Sequence, residues 1–209
     1  MTADAHDAIA SGPALAMLDI AAVPPGLFAL DALVKEAEIV ILSAGTVQNG
    51  RYLILFSGDV EPVERALTKA LRVTGSAVID KMLLPHAEPR IVPAIREGAL
   101  RWPAPGDTLG VVQTVTTPSL LLAVDAALKG AHVELVELRI ADGLGGQGVA
   151  SLWGEVYDVE AAIELADRAL LGKAGGRAEG SWTTIIRNAD PEIARAVKTT
   201  TRFYKEWRG

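Results

Sequence analysis

Short apolar runs alternate along the chain with longer segments in which apolar residues recur every three or four positions. Runs of the first kind predict buried strands, and segments of the second kind predict helices with one apolar face. Asp59 stands at the start of one such helix, where we expect its carboxylate to accept backbone N–H groups. The elements predicted in the first half are strand 14–19, helix 25–37, strand 38–42, strand 51–57, helix 60–73, strand 76–84 and a short helix 89–96.

The order strand, helix, strand, strand, helix, strand is that of the ferredoxin-like, or split β-α-β, arrangement. It predicts an α+β domain in which four antiparallel strands form one sheet and the helices cover one of its faces. Such a domain leaves one sheet face and two strand edges uncovered. We therefore expect it to associate with further copies.

The second half of the chain repeats the first. The sequence GLFALDALVKEAEIVIL from Gly26 aligns with LLLAVDAALKGAHVELV, which begins 94 positions later at Leu120. Beyond the next turn Gly58 aligns with Gly154, now 96 positions apart. Two residues have therefore been added in one loop, and loops both absorb such changes and carry function. That loop spans 45–50 in the first copy and 142–148 in the second.

The repeat predicts two tandem domains of one kind. The stretch REGALRWPAPGD between the copies holds two prolines and two glycines and shows neither helical nor strand periodicity, which is typical of a linker. We expect four segments: a flexible N-terminus at 1–12, a first domain at 13–97, a linker at 98–107, and a second domain at 108–209 that ends in a C-terminal helix.

Charge and composition narrow the classes of function. A formal net charge of -6 is unfavourable for nucleic-acid binding. No apolar run approaches the roughly 20 residues that span a bilayer, and the N-terminus lacks the pattern of a signal peptide. We expect a cytoplasmic protein with neither a nucleic-acid nor a membrane partner.

The residues that usually carry chemistry are absent or scattered. The chain has no cysteine, which excludes disulfides, thiolate metal sites and cysteine nucleophiles. His6, His86 and His132 share neither a helix face nor the spacing of metal ligands. We therefore expect no metal, no cofactor and no enzymatic activity.

The repeated phrases resemble the bacterial microcompartment shell family. ALDALVKEAEIVIL and VDAALKGAHVELV resemble its first helix and second strand, while SGDV and WGEV resemble the start of its second helix. The resemblance is greatest to the tandem-domain type found in propanediol-utilisation shells. It implies a structural shell protein: a homotrimeric, pseudohexameric tile whose six domains surround a central pore for small polar metabolites. Other shell proteins would contact the tile laterally, with enclosed enzymes as further candidate partners.

In this family the loop of variable length borders the pore. One class of tandem shell proteins binds an iron–sulfur cluster through a cysteine in the first-half loop, and Gln48 stands at that position here. The resemblance therefore implies a neutral polar constriction without a cluster, to which Asp142 could add a ring of negative charge. The implied pore-lining residues are Val47, Gln48, Asn49, Gly50, Asp142, Gly143, Leu144, Gly145 and Gly146.

The resemblance also implies a lateral edge. Lys35 and Lys129 match the family's edge lysines, which take part in packing between tiles. The family usually has a basic segment with a Pro-His pair after the last strand. Only Pro85-His86 in the first half resembles it, so the second domain departs from the pattern here.

Plainer interpretations stand beside these. Asn49-Gly50 is a hairpin signal by itself, and DGLGGQG also suits an ordinary turn. The two lysines would ordinarily be solvated helix residues. The C-terminal stretch from Asp190 could dock on a neighbour or on enclosed enzymes, or pack on its own domain. A different class of function also stays open: a trimeric ferredoxin-like regulatory protein that binds a small effector.

Overall fold

The computed structural model describes residues 12–97, 106–141, 143–173 and 181–193. The chain divides into two compact units, with the boundary between Ala87 and Glu88. The first unit therefore ends ten residues before the predicted end of the first domain at 97. Residues 1–11 of the N-terminus that was predicted as flexible at 1–12, most of the linker, and the predicted C-terminal helix beyond Ile193 lie outside the described residues.

The two units hold the predicted elements in the predicted order. The first unit contains β1 (Ala14–Ile20), α1 (Val23–Glu36), β2 (Val40–Thr46), β3 (Tyr52–Gly58), α2 (Val60–Thr74) and β4 (Val78–Leu84). The second unit contains α3 (Ile91–Glu97), β5 (Thr108–Thr114), α4 (Thr117–Gly130), β6 (Glu134–Ile140), β7 (Gly148–Gly154), α5 (Val156–Gly172) and β8 (Trp182–Ile186).

Each unit forms one four-stranded antiparallel sheet. The strand orders are β2-β3-β1-β4 and β6-β7-β5-β8, which is the same topology twice. The register of β2 on β3 shifts between Ile41 and Ser43, and that of β6 on β7 shifts at the equivalent place, between Leu135 and Glu137. A bulge bends a strand and re-aims the residues beyond it, so both units present the next loop from equivalent bends. The predicted α+β class with two ferredoxin-like domains is confirmed.

Both helices of the first unit lie on the same face of its sheet. The alternate residues Ala14, Ala16, Leu18 and Ile20 of β1 point into a cluster with Ala29 and Leu33 of α1 and with Val63, Ala66 and Ala70 of α2. Strand side chains alternate between faces, and small alanines let a helix approach the sheet closely. The helix positions are thus determined by the small side chains between helix and sheet.

The helices begin with prolines or with acidic cap residues, and the predicted capping hydrogen bond of Asp59 is absent. Both α1 and α4 begin with proline in the first turn, where its missing N–H costs nothing. Asp59 and Glu155 occupy the cap positions of α2 and α5, as the alignment indicated. Neither side chain accepts a capping hydrogen bond, so that part of the prediction was wrong.

One helix–sheet contact is built in opposite ways in the two units. In the first unit a Cβ added to Gly26 of α1 would lie 2.4 Å from the ring of Tyr52 on β3. In the second unit the aligned residues are Leu120 and Gly148, and a Cβ on Gly148 would lie 2.6 Å from Leu120. The large side chain comes from the strand in one repeat and from the helix in the other. The two repeats therefore fill the same space with complementary pairs.

The contact between the two helices of a unit also differs in chemistry between the repeats. Lys69 of α2 pairs with Glu36 of α1 at 3.5 Å. The aligned residues of the second unit are Leu165 and Gly130, and the leucine packs where a Cβ on the glycine would be. A partly exposed ion pair in one repeat thus corresponds to an apolar contact in the other.

We predict that Gly26→Leu destabilises the first unit through overpacking, by about 1–3 kcal/mol. Adding Tyr52→Gly, which copies the second repeat, should relieve the clash. The double-mutant cycle should therefore give a favourable interaction free energy of about 1–3 kcal/mol from urea-unfolding midpoints. Gly172→Leu is the matched control, because a Cβ there meets no atom within 4 Å. Strict additivity in the cycle would contradict the exchanged packing.

Candidate functional site

The loop after β2 projects three of the four residues predicted for the first-half pore lining. Gln48–Gly50 form a single 3-10 turn and are exposed, whereas Val47 is buried. Asn49 and Gly50 have φ values of 65° and 72°, in the left-handed region that Asn and Gly tolerate best. The Val47 N–H donates to the Arg51 carbonyl at 2.9 Å and closes the turn. Val47 is therefore the anchor of this loop rather than part of its surface.

A buried ion pair braces the first loop. Arg51 Nε donates to Oδ1 of Asp19 at 2.9 Å, and Nη2 of the same guanidinium contacts Oδ2. The Asp19 side chain is fully buried, and Asp80 lies directly opposite it on β4. Burial lowers the pKa of Arg51, and the charge of Asp80 opposes that shift. The bidentate geometry holds Arg51 in place, and the turn closes on the carbonyl of this residue.

The second loop is compact and held by main-chain bonds. The Ala141 N–H donates to the Gln147 carbonyl at 2.9 Å, and Leu144 N–H donates to the Ala141 carbonyl at 3.1 Å. The Gly146 carbonyl accepts from both the N–H and the hydroxyl of Thr117, each at 3.0 Å. These bonds attach the loop to the start of α4.

The predicted lining residues of the second loop differ in exposure. Gly143 is exposed, Leu144 and Gly145 are half-buried, and Gly146 is buried. Asp142 lies outside the described residues. Among the predicted lining residues of this loop that the structure describes, Gly143, Leu144 and Gly145 are thus accessible.

The base of the second loop replaces the ion pair with a neutral pair. Gln113 Nε2 donates to Gln147 Oε1 at 2.8 Å. Gln113 aligns with Asp19, and Gln147 aligns with Arg51, at the same offsets that define the repeat. Both pairs join the end of the first strand of a unit to the last residue of its loop. Neither pair was predicted from the sequence. The repeat matches Asp19 with Gln113 and Arg51 with Gln147, but it does not show that the two residues of each pair are in contact.

The two predicted edge lysines have unequal surroundings. Lys35 Nζ lies 2.8 Å from Asp31, and both side chains are more than half exposed. Lys129 Nζ lies 2.6 Å from Asp125, whose side chain is only 9 % exposed and also accepts the Glu88 N–H at 2.8 Å. The first pair therefore lies on an open surface, and the second is partly covered by the segment that precedes α3.

Two kinds of feature are absent from the residues that the structure describes. No group of three or more His, Asp or Glu side chains there is arranged to hold a metal ion. In the same residues no helix has the length and apolar character needed to cross a membrane.

Comparison with known proteins gives consistent matches. The family model described as "BMC domain" matches residues 14–87 and again residues 108–185. The bacterial microcompartment shell protein PduT of Citrobacter freundii is 29 % identical over 153 residues, which cover 73 % of this chain and 82 % of that protein.

Two solved structures are similar. A microcompartment protein from Desulfitobacterium hafniense has a TM-score of 0.73 and 28 % identity, with 88 % of this chain and 99 % of that chain covered. A fused permuted hexameric shell protein from the RMM microcompartment has a TM-score of 0.55 and 22 % identity, covering 74 % of this chain and 79 % of that one. The second likeness concerns the fold alone.

We predict that Asp19→Gln alone destabilises the first unit by about 3–5 kcal/mol, because it removes the buried carboxylate to which the guanidinium of Arg51 donates. The double variant Asp19→Gln/Arg51→Gln copies the Gln113–Gln147 pair and should recover most of that loss, since two neutral amides can bond each other. Urea unfolding measures both. A double variant as unstable as the single one would show that the pairs are not interchangeable.

Proposed function

The chain belongs to the BMC domain family, with one domain in each half, and we propose that it is a structural shell protein of a bacterial microcompartment. The observation that carries the proposal is the double family match, joined to a two-unit fold in which each unit has a four-stranded antiparallel sheet of the same strand order. The similarity to PduT over most of both chains supports the same role. The comparisons give no support to the regulatory alternative.

The tile is a homotrimer in which six domains alternate around a central axis. Among the residues that the structure describes, the outer strands of each sheet, β2 and β4 or β6 and β8, pair with a strand on one side only. Such edges favour association with equivalent surfaces. Three chains give a pseudohexagonal ring in which first-unit and second-unit loops take turns, because the two units of one chain are joined in tandem.

The central pore is bordered by both loop types. The first loop contributes Gln48, Asn49 and Gly50, whose amide groups offer both donors and acceptors without charge. The second contributes Gly143, Leu144 and Gly145, with Asp142 as a source of negative charge and Gly146 as an anchor. A largely neutral polar rim of this kind suits small polar metabolites, with selection by width and hydrogen bonding.

The loop chemistry also fits a passive role. No cysteine is present to hold an iron–sulfur cluster at the axis, and Gln48 occupies the position where such a residue would stand. Shell assembly requires no nucleophile or acid–base pair. The protein is therefore proposed as a non-enzymatic component.

The rim of the tile carries Lys35 and Lys129. Lys35 lies on an open surface with a mostly solvated ion pair, so a neighbouring tile can reach it without disturbing the unit. Lys129 keeps 44 % of its side chain exposed even though Asp125 is covered. Lateral partners are other shell proteins, enclosed enzymes are candidate partners of the inner face, and the tile lies in the shell of a cytoplasmic compartment.

The pore assignment predicts that Gln48→Cys places three thiols near one axis. Because the chain otherwise has no cysteine, mild oxidation or a short bis-maleimide should then join chains in native-mass trimers and give covalent dimers. Thr68→Cys, on α2 and away from the loop, is the control and should stay uncrosslinked. Trimers that never crosslink through residue 48 would remove this loop from the axis, and a monomeric native mass would overturn the tile itself.

The edge assignment predicts that Lys35→Ala abolishes extended sheets in negative-stain images while the native mass of the trimer stays unchanged. The expected loss of unfolding free energy is below about 1 kcal/mol, because the Asp31–Lys35 pair is exposed. Arg65→Ala, which breaks the comparably exposed pair with Glu61, is the matched control and should still form sheets. Unaltered sheets from the Lys35 variant would contradict a role at the edge.

A further inference from the structure

A cleft of about 420 Å³ opens in the first unit between α2 and the edge strand β4. Leu67 and Leu71 line it from the helix and Leu83 lines it from the strand. Glu64 of α2 and Lys81 of β4 add one charge of each sign. The volume lies within the range of about 300–1,000 Å³ that is typical of small-molecule sites.

The apolar lining of the cleft belongs to the core of the first unit. Leu67 is buried, while Leu71 and Leu83 are half-buried, and all three pack in or against the cluster between the helices and the sheet. Their inner sides are therefore held in place by the core. An aliphatic group in the cleft would remove the remaining exposed surface of Leu71 and Leu83 from water, which is favourable.

The two charged side chains of the cleft are exposed and available. Within the part of the chain that the structure describes, neither the Glu64 carboxylate nor the Lys81 ammonium makes an ion pair or a hydrogen bond, and the two do not pair with each other. By contrast, Arg65 and Lys69 on the same helix are paired with Glu61 and Glu36. The cleft thus offers one acceptor of positive charge and one donor to negative charge, with room between them.

The second unit has a different arrangement at the equivalent place. Leu84 of β4 and Ile186 of β8 pair with the aligned residues Leu15 and Leu109, so β8 aligns with β4 at an offset of 102 positions. The helices α2 and α5 keep the offset of 96 that relates Gly58 to Gly154.

Polar contacts join helix and strand in the second unit. The Thr183 hydroxyl donates to Oδ2 of Asp167 at 3.5 Å, and these residues align with Lys81 and Leu71. A leucine side chain has no group for such a bond. Glu160, which aligns with Glu64, pairs with Arg187 beyond β8, and proline stands at the position of this arginine in the first unit. The contacts that tie α5 to β8 therefore have no counterpart at the cleft.

We propose that the cleft of the first unit binds a small zwitterion with an aliphatic body, of the class of the apolar α-amino acids. The ammonium group of the ligand lies at Glu64, its carboxylate lies at Lys81, and its side chain covers Leu71 and Leu83. The choice of ligand follows from charge complementarity, because a molecule with a single charge leaves one of the two side chains unmatched. The site lies within one unit and does not depend on the assembly of a shell.

Three matched probes test the ligand class. L-Norleucine carries both charges, hexanoate is the same molecule without the ammonium group, and pentylamine is the same molecule without the carboxylate. Titration of the full chain, labelled with ¹³C at the leucine methyl groups, should shift the Leu71 and Leu83 signals saturably with norleucine. The affinity for each single-charge probe should be roughly three- to fivefold lower, which is the scale of an exposed ion pair.

Two exposed substitutions assign the charges. Glu64→Gln should remove the preference for norleucine over hexanoate, and Lys81→Gln should remove the preference for norleucine over pentylamine. Arg65→Ala is the matched control, because Arg65 lies on α2 outside the cleft lining, and it should keep both preferences. Leu71→Asp/Lys81→Thr copies the bonded pair of the second unit and should abolish the saturable shifts.

The contrary results are distinct. Equal affinities for the three probes, or preferences that survive in the Glu64 and Lys81 variants, would overturn the zwitterion assignment. Norleucine shifts that do not saturate, or that appear at leucines remote from α2 and β4, would overturn the site itself. Each of these results would leave the proposed shell function standing, since native mass and sheet formation test that function separately.

Discussion

The packing of two helices on one face of each sheet, through small side chains, is the constraint on which the rest depends. Ala16 of β1, Ala29 of α1 and Ala66 of α2 are fully buried at this contact in the first unit. Close packing of this kind determines where each helix lies and how β2 and β3 are held. The loop between β2 and β3 and the loop between β6 and β7 therefore leave their units from equivalent places.

The two units satisfy that constraint with different residues. Tyr52 over Gly26 and Leu120 over Gly148 fill the same volume from opposite sides, and the Glu36–Lys69 pair corresponds to Leu165 over Gly130. Packing tolerates such changes when the total volume is kept. Two domains of one fold can therefore diverge in detail without changing the frame that holds the loops.

The two loops are held by pairs of different charge. Asp19 and Arg51 hold the first loop with two buried charges, whereas Gln113 and Gln147 hold the second with a neutral hydrogen bond. The exposed residues above these pairs are amide-bearing in one loop and glycine-rich in the other. A ring that alternates the two loops would combine a polar rim with close backbone approach.

The sequence by itself determined the strand and helix order, the tandem repeat and the positions of both loops, because these follow from local periodicity and from residue types at fixed offsets. It placed Gln48, Asn49 and Gly50 in an exposed turn, where the structure has them. It could not distinguish Val47 and Gly146, which are anchors, from their exposed neighbours, since burial depends on hydrogen bonds to Arg51 and Thr117. Only the tertiary structure decided the unit boundary at Ala87, the brace on Asp19 and the unequal surroundings of Lys35 and Lys129. Those features arise from contacts between segments far apart in the chain, and periodicity along a single segment carries no information about them.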